Sequence, residues 1–228
     1  MARRDMAEGV SIEAVDRDGA IREAQEAATD DTRSAFFRKA GVAGAGLVGG
    51  SALLGALAPA AATAAPSKKQ DVKILNYALT LEYLEAAFYA EAVSGGALSG
   101  RTLDFAKLVA SDEATHVKTL KKALGAAAVA EPKFDFQGTT ADQGKFQQTA
   151  LTLENTGVAA YLGQAGKVTP AVLKVAGSIV TVEARHAALI ADIIGGDVST
   201  ATPNGPFDKP TSMATILATV KKTGFIVG

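Results

Sequence analysis

The chain has 228 residues with no cysteine, only two histidines and almost no net charge. The absence of cysteine excludes disulfide bonds, thiolate metal ligands and cysteine nucleophiles. The formal net charge of −1 leaves no excess of basic residues for the phosphates of a nucleic acid, so we expect no nucleic-acid partner. Aromatic residues make up only 6% of the chain, and its many alanine, leucine and valine residues suit closely packed helices.

Both histidines lie in the same motif, E-x-x-H. Glu113 and His116 are three residues apart in DEATHVKTL, and Glu183 and His186 are three apart in TVEARHAALI. Residues three apart on a helix share a face, so each motif directs one carboxylate and one imidazole toward a common point. Four-helix bundles that bind two metal ions combine two such motifs with one glutamate from each of two other helices.

Two further glutamates match this requirement. Glu82 lies in LEYLEAAFY and Glu154 in LENTGVAAY, and a tyrosine follows each seven residues later, at Tyr89 and Tyr161. Seven residues are about two helical turns, so each glutamate shares a face with its tyrosine. The next E-x-x-H glutamate comes 31 residues after the first of these glutamates and 29 after the second. The chain therefore repeats a two-helix unit.

The pattern predicts one site for two metal ions. Four carboxylates and two imidazoles carry a charge of −4, which two divalent ions would match, whereas without metal the crowded carboxylates would be forced to protonate. Oxygen and imidazole ligands favour iron or manganese, two ions per chain. The alternative is a set of buried Glu–His pairs without metal. The predicted ligands are Glu82, Glu113, His116, Glu154, Glu183 and His186.

We expect the two E-x-x-H glutamates, Glu113 and Glu183, to bridge the ions. Glu82 with His116 would then complete one ion, and Glu154 with His186 the other. Each of the six predicted ligands is thus either a bridge between the two ions or a ligand of one ion.

Five other residues have secondary roles in this hypothesis. Tyr89 and Tyr161 are catalytic candidates that hydrogen-bond to the ligands or donate an electron, unless they only pack in the core. Glu85 either supports the ligands or is partly solvated. Asp112 either accepts a hydrogen bond from a ligating imidazole or is solvated. Gly157 is expected to permit close helix approach.

The helices that carry these residues can be placed from apolar periodicity and from the residues that begin and end helices. Thr102 is a candidate N-cap of the second helix, and Thr169 with Pro170 marks the start of the fourth. Residues 125–140 could span the length of the bundle, which predicts a long crossover between helices two and three. The five predicted helices cover about 70–94, 102–124, 141–165, 170–194 and 211–223, the last being short and covering one end or side of the bundle or forming a dimer contact.

The N-terminal part of the chain differs from the rest. Residues 1–31 are polar and of mixed charge, which predicts a disordered extension or an over-long start with the true beginning at Met6 or later. Residues 32–65 resemble a twin-arginine export signal, although Ser34 replaces the second arginine; the alternative is an uncleaved membrane anchor. We therefore expect the export machinery as a partner, a periplasmic, cell-envelope or secreted location, and a folded domain at 66–228.

The segments EYLEAAFY, DEATH, LENTGVAAY and VEARH resemble the ferritin-like superfamily, and more narrowly exported bacterial ferritin-like proteins related to plant desiccation-related proteins. The resemblance covers about 71–195. It implies an all-α, ferritin-like four-helix bundle, a two-metal site and the same six ligands. The superfamily includes ferroxidases, catalases, oxygenases and storage cages, so the resemblance does not select one reaction.

Three functions remain open. The first is a redox enzyme, ferroxidase-, oxidase- or catalase-like, that consumes O₂ or peroxide during oxidative or desiccation stress. The second is an iron-storage protein that assembles into a homo-oligomeric cage. The third is a structural stress protein without turnover.

Overall fold

The computed structural model describes residues 65–196 and 198–227. Their five α-helices confirm the predicted all-α, ferritin-like bundle. The predicted extension at 1–31 and all but the last residue of the predicted export signal lie outside the described residues. Within the described ranges, no helix is both long and apolar enough to cross a membrane. The helices are Lys68–Gly95 (α1), Gly100–Leu124 (α2), Gln143–Gln164 (α3), Pro170–Ile194 (α4) and Met213–Thr223 (α5).

Local sequence signals explain most of the helix ends. Ser67 caps α1 by accepting a hydrogen bond from the Gln70 backbone, and α4 begins after Thr169 with Pro170, as predicted. The predicted N-cap of α2 is wrong. The helix begins at Gly100, and Thr102 lies inside it, where its buried hydroxyl accepts a hydrogen bond from the Gln147 side chain.

Hydrogen bonds between helix ends establish the directions of the four long helices. Asp71, in the first turn of α1, accepts from the Thr169 backbone just before α4, at 2.9 Å, so α1 and α4 begin at the same end. The start of α2 contacts the end of α4 through Arg101 and Asp192, at 2.6 Å. Ser99, just before α2, donates to the side chain of the first residue of α3. Thus α2 and α3 are parallel to each other and antiparallel to α1 and α4.

The connection between α2 and α3 is the predicted crossover. Near its beginning, Ala127 accepts a hydrogen bond from Asn76, which lies early in α1. Near its end, Thr140 donates to Glu91, which lies late in α1, at 2.5 Å. The connection therefore follows α1 along most of its length and brings the chain back to the end where α2 began. A crossover of this kind occurs in ferritin-like bundles.

The C-terminal residues close one side of the bundle. Helix α5 packs on α3, with the backbone of Thr211 donating to the carbonyl of Ala159 at 3.0 Å. Its Ile216 and Val220 are buried in the same apolar cluster as the crossover residue Phe136. A two-residue antiparallel ladder then joins Lys133–Phe134 (β1) to Ile226–Val227 (β2), which the sequence did not predict. This segment covers the crossover, in agreement with the predicted covering role.

Two apolar clusters fill the bundle. One contains the stacked and edge-on rings of Phe88, Tyr89 and Phe146. The other contains Leu79, Leu120 and other aliphatic side chains nearer the opposite end. The polar residues of the candidate site lie on the same four helices and are themselves buried, so they are shielded from bulk water.

Candidate metal centre

The six predicted ligands meet inside the bundle. Helices α1 and α3 contribute one glutamate each, and α2 and α4 contribute one E-x-x-H motif each. Glu113, Glu154 and Glu183 are fully buried, and the other three side chains are at most 8% exposed. Four carboxylates concentrated in an apolar interior are unfavourable unless a cation or hydrogen bonds compensate for the lost hydration.

Two overlapping groups of four residues could each hold one metal ion. Within each group, one potential ligand atom per residue lies within 4.8 Å of the others. Glu113 and Glu183 belong to both groups, which is the arrangement expected of bridging carboxylates. One group adds Glu82 and His116, and the other adds Glu154 and His186. This partition agrees with the one inferred from the sequence, while metal coordination itself stays a prediction.

The surroundings of His116 favour a cation at its side-chain nitrogen. Its Nδ1 lies 3.2 Å from an oxygen of Glu82 and 3.1 Å from an oxygen of Glu113. A third carboxylate oxygen, from Glu183, also lies 3.2 Å away. One N–H cannot direct a strong hydrogen bond at three oxygens together. The groups converge on a shared point, as ligands of one ion do.

His186 is oriented by Asp112. Its Nε2 lies 3.1 Å from Asp112 Oδ2, and an ionised carboxylate only accepts, so Nε2 is the donor. A neutral His186 then has Nδ1 available to bind a cation, which is the usual arrangement around metal-binding histidines. Of the two roles considered for Asp112, the structure shows the hydrogen bond to an imidazole.

Several polar atoms of the site are buried without a hydrogen-bond partner among the described residues. They are Glu113 Oε1, Glu154 Oε2, both oxygens of Glu183 and His186 Nδ1. His186 Nδ1 lies 3.4 Å from Glu113 Oε1 and 3.2 Å from Glu154 Oε2, and Glu183 Oε1 lies 3.2 Å from His116 Nδ1, so these atoms face one another without well-directed hydrogen bonds. Buried polar atoms normally make such bonds, and atoms that converge without them suit a shared cation. Hard oxygen donors with two imidazoles suit divalent iron or manganese. The residues present therefore fit a pair of metal ions.

The two tyrosines exchange partners between helices. The hydroxyl of Tyr89 on α1 donates to Glu154 on α3, and that of Tyr161 on α3 donates to Glu82 on α1. The sequence places each tyrosine on the same helix face as the glutamate of its own helix. Because α1 and α3 are antiparallel, each hydroxyl instead reaches the glutamate of the opposite helix. Each hydroxyl fixes an oxygen of a glutamate that belongs to only one of the two groups.

Burial raises the pKa of most of these carboxyl groups, and the two imidazoles oppose it. Burial, with repulsion from Glu113 and Glu154, raises the pKa of Glu183 to about 8, although the His116 imidazole lies 3.2 Å away and opposes the rise. Burial also acts to raise the pKa of Glu113, but its close contacts with both imidazoles outweigh burial and lower that pKa to about 2. The Glu82 and Glu154 pKa values are raised, mainly by burial.

Both imidazoles hold protons tightly in the metal-free site. Burial lowers the pKa of His116 and His186, but hydrogen bonds with surrounding carboxylates outweigh it and raise the values to about 12 and about 11. These protons occupy the space between nitrogen and oxygen atoms that a metal ion would otherwise occupy. Metal binding at this site would therefore release protons.

A fifth carboxylate lies beside the centre. Glu85 is 3% exposed, so the suggestion that it is partly solvated is wrong. Burial, followed by repulsion from Glu183 and Glu154, raises its pKa well above the ordinary value. Its Oε1 would lie 3.5 Å from a methyl group placed on Gly157. Glu85 is outside both four-residue groups and lies beside the site on α1.

Gly157 makes room for a carboxylate. A Cβ atom at this position would lie 2.8 Å from Glu183 Oε2. The expected close helix approach is therefore an approach of the Glu183 side chain to the α3 backbone. The prediction of a close approach at Gly157, three residues after Glu154 in the same helix, is confirmed. The sequence did not indicate that the approaching group is the Glu183 carboxylate.

We expect Gly157→Ala to lower metal affinity by about tenfold or more, because the new methyl group displaces the shared Glu183 carboxylate. Titration of the metal-free protein with ferrous or manganous ion measures this. Gly177→Ala on α4 is the matched control, since a Cβ there meets nothing within 4 Å. Both changes favour helix by up to about 1 kcal/mol, so unchanged affinity in Gly157→Ala would contradict the steric argument.

A family model described as a ferritin-like domain matches residues 70–196, more than half of the chain. The chain therefore belongs to the ferritin-like domain family. No curated protein matches the sequence. The membership agrees with the fold and with a buried Glu/His cluster able to hold metal, while the narrower resemblance to the exported, desiccation-related branch stays a prediction.

Proposed function

We propose that this protein binds two iron or two manganese ions within its bundle and uses them for redox chemistry with O₂ or peroxide. The observation that carries the proposal is the pair of overlapping ligand groups that share Glu113 and Glu183. Two redox-active ions held side by side would supply two electrons to one oxidant. Two electrons and two protons convert one hydrogen peroxide into two water molecules.

The protein's own residues provide the environment for this chemistry. The Tyr89 and Tyr161 hydroxyls each hold a proton against one glutamate, and we propose them as the residues that donate protons or electrons. Asp112 fixes the orientation of the His186 ring. The surrounding apolar side chains limit access of bulk water, so reactive species stay apart from solvent.

We further propose that the protein acts outside the cytoplasm in defence against oxidative or desiccation stress. This part rests on the sequence of residues 32–65, where Thr32, Arg33, Phe36 and Phe37 fit the pattern of a twin-arginine export signal and Ser34 replaces its second arginine. Export in the folded state would let the protein take up its metal before crossing the membrane. Cell fractionation with an antibody to the protein tests the location, and a cytoplasmic signal alone would contradict it.

Stopped-flow oxidation of the ferrous-loaded protein tests the redox proposal. We expect hydrogen peroxide or O₂ to oxidise two bound ferrous ions per chain faster than free ferrous iron at the same pH. The manganese-loaded protein should be assayed for O₂ release from peroxide, since two peroxides can yield two waters and one O₂. Metal that stays bound without reacting with either oxidant would contradict redox function and favour a structural role. Many irons per chain in a particle of cage size would favour storage.

A further inference from the structure

One end of the bundle carries many lysines and almost no acidic residues. At this end α1 and α4 begin and α2 and α3 end. It is formed by residues 68–75, 121–127 and 160–177, whose single acidic side chain, Asp71, is buried and accepts hydrogen bonds from Thr169. The same segments contain exposed lysines, which together form the basic end: Lys68, Lys69, Lys73, Lys121, Lys122, Lys167 and Lys174.

The fold itself explains only part of this distribution. The lysines in the last turn of α2 face the negative end of that helix dipole, where cations are favourable. Lys68 and Lys69, however, lie in the first turn of α1, at the positive end, where acidic residues are favoured. Among the described residues, the one ion pair that involves a lysine or an arginine joins Arg101 to Asp192, far from this end. The excess positive charge therefore indicates an anionic partner outside the chain.

Apolar side chains are exposed between these lysines. Val72 precedes Lys73 in α1 and is 38% exposed, and Leu173 precedes Lys174 in α4 and is 37% exposed. Protein surfaces that lie in the interface of a lipid bilayer combine basic residues, which bind anionic headgroups, with apolar residues, which enter the boundary with the acyl chains. The phosphate backbone of a nucleic acid has no such apolar layer. The mixture at the basic end thus favours a lipid surface.

The polypeptide also enters the domain at this end. Helix α1 begins at Lys68, so the preceding residues join the domain among the lysines. In the sequence, residues 40–67 contain no charged side chain, and they include most of the segment for which an uncleaved membrane anchor is the alternative to an export signal. A membrane-inserted segment at this position would keep the basic end close to lipid headgroups.

The opposite end of the bundle has no comparable excess of charge. In the two turns of each long helix nearest to it, the acidic and basic residues are equal in number. They are Glu91, Asp104 and Asp192 beside Arg101, Lys107 and Lys145. The charge asymmetry along the bundle gives the domain a preferred orientation toward an anionic surface.

We propose that the basic end docks on a membrane surface that contains anionic phospholipids. The lysine ammonium groups bind the lipid phosphates, and Val72 and Leu173 enter the boundary between headgroups and acyl chains. Docking does not depend on the redox chemistry, because none of the six predicted metal ligands belongs to the basic end.

Partitioning of the full chain into vesicles tests the role of charge. Binding to phosphatidylcholine mixed with phosphatidylglycerol is compared with binding to phosphatidylcholine alone, so that any insertion of the uncharged N-terminal segment contributes to both. Each lysine near an anionic surface contributes about fivefold. The combined variant Lys68→Gln, Lys69→Gln and Lys73→Gln should therefore lower the preference for anionic vesicles by about tenfold or more.

The matched control for this variant combines Lys107→Gln, Lys145→Gln and Lys222→Gln, which are exposed lysines away from the basic end. It should keep most of the wild-type preference. The basic-end variant should melt at or above the wild-type temperature, because it removes cations from the start of a helix. An unchanged preference in that variant, or an equal loss in the control, would overturn the proposal.

A fluorescent label tests the orientation, and the absence of cysteine allows a single labelling site. Leu173→Cys introduces that site in the basic end, and Leu108→Cys introduces it at another exposed leucine, in the half of α2 nearer the opposite end. On anionic vesicles that contain brominated lipid, the label at position 173 should be quenched more strongly than the label at position 108. Equal quenching of the two labels would overturn docking through the basic end. Binding to double-stranded DNA as tight as to anionic vesicles at equal phosphate concentration would overturn lipid as the partner.

Discussion

Glu113→Gln is expected to reduce bound metal from about two ions per chain to well under one. Glu113 belongs to both four-residue groups, and glutamine removes its charge while keeping its shape. Substitutions that only disturb the orientation of a ligand cost about 10–100-fold in affinity, so loss of a shared ligand should exceed that. Metal analysis of the dialysed variant measures the ratio.

Two companion variants make this result specific. Glu131→Gln makes the same substitution at an exposed glutamate in the crossover and should keep the wild-type metal ratio. Glu154→Gln changes a residue of one group only, so it should lose one ion more readily than the other. If Glu113→Gln retains two ions, or if Glu113→Gln and Glu154→Gln lose metal equally, the bridging role of Glu113 is wrong.

Removal of metal should lower the melting temperature by more than about 10 °C. A ligand that binds only the folded state at 1,000 times its dissociation constant adds about 4 kcal/mol, and two ions would add about twice that. In a domain of this size, each kcal/mol corresponds to about 2–4 °C. The buried carboxylates of the centre make the metal-free state the less stable one. Calorimetry before and after chelation measures the difference.

The Glu113→Gln variant is the control for this experiment. Because it should already lack metal, chelator should leave its melting temperature unchanged, which separates metal removal from direct effects of the chelator. Restoration of the wild-type melting temperature by added ferrous or manganous ion would complete the test. An unchanged wild-type melting curve, after analysis has shown that the metal is gone, would contradict buried coordination.

The ligand cluster was predictable because its geometry is local. Glu and His at i and i+3 share a helix face wherever the helix lies, and the glutamates at Glu82 and Glu154 lie in apolar stripes of their own helices. Helix ends were predictable where Pro170 and Gly195 mark them. The crossover followed from the length of the break at 125–140 and from a fold that requires α2 and α3 to be parallel.

What the sequence did not predict depends on how distant helices are aligned. The exchange of Tyr89 and Tyr161 between partners follows from the antiparallel register of α1 and α3. Burial of Glu85 depends on the same packing. Pairing of β1 with β2 joins segments about 90 residues apart, and no pattern in two residues could indicate it.

The most direct test of the central claim is the metal content of the full chain, purified from its own cells without added metal or chelator. Elemental analysis should find about two iron or manganese ions per chain. Two irons per chain would favour oxidation of the bound iron by O₂ or peroxide. Two manganese ions per chain would favour disproportionation of peroxide. Folded protein with no bound metal, and none taken up on titration with either ion, would contradict the account: the Glu–His cluster would then be a metal-free hydrogen-bonded core.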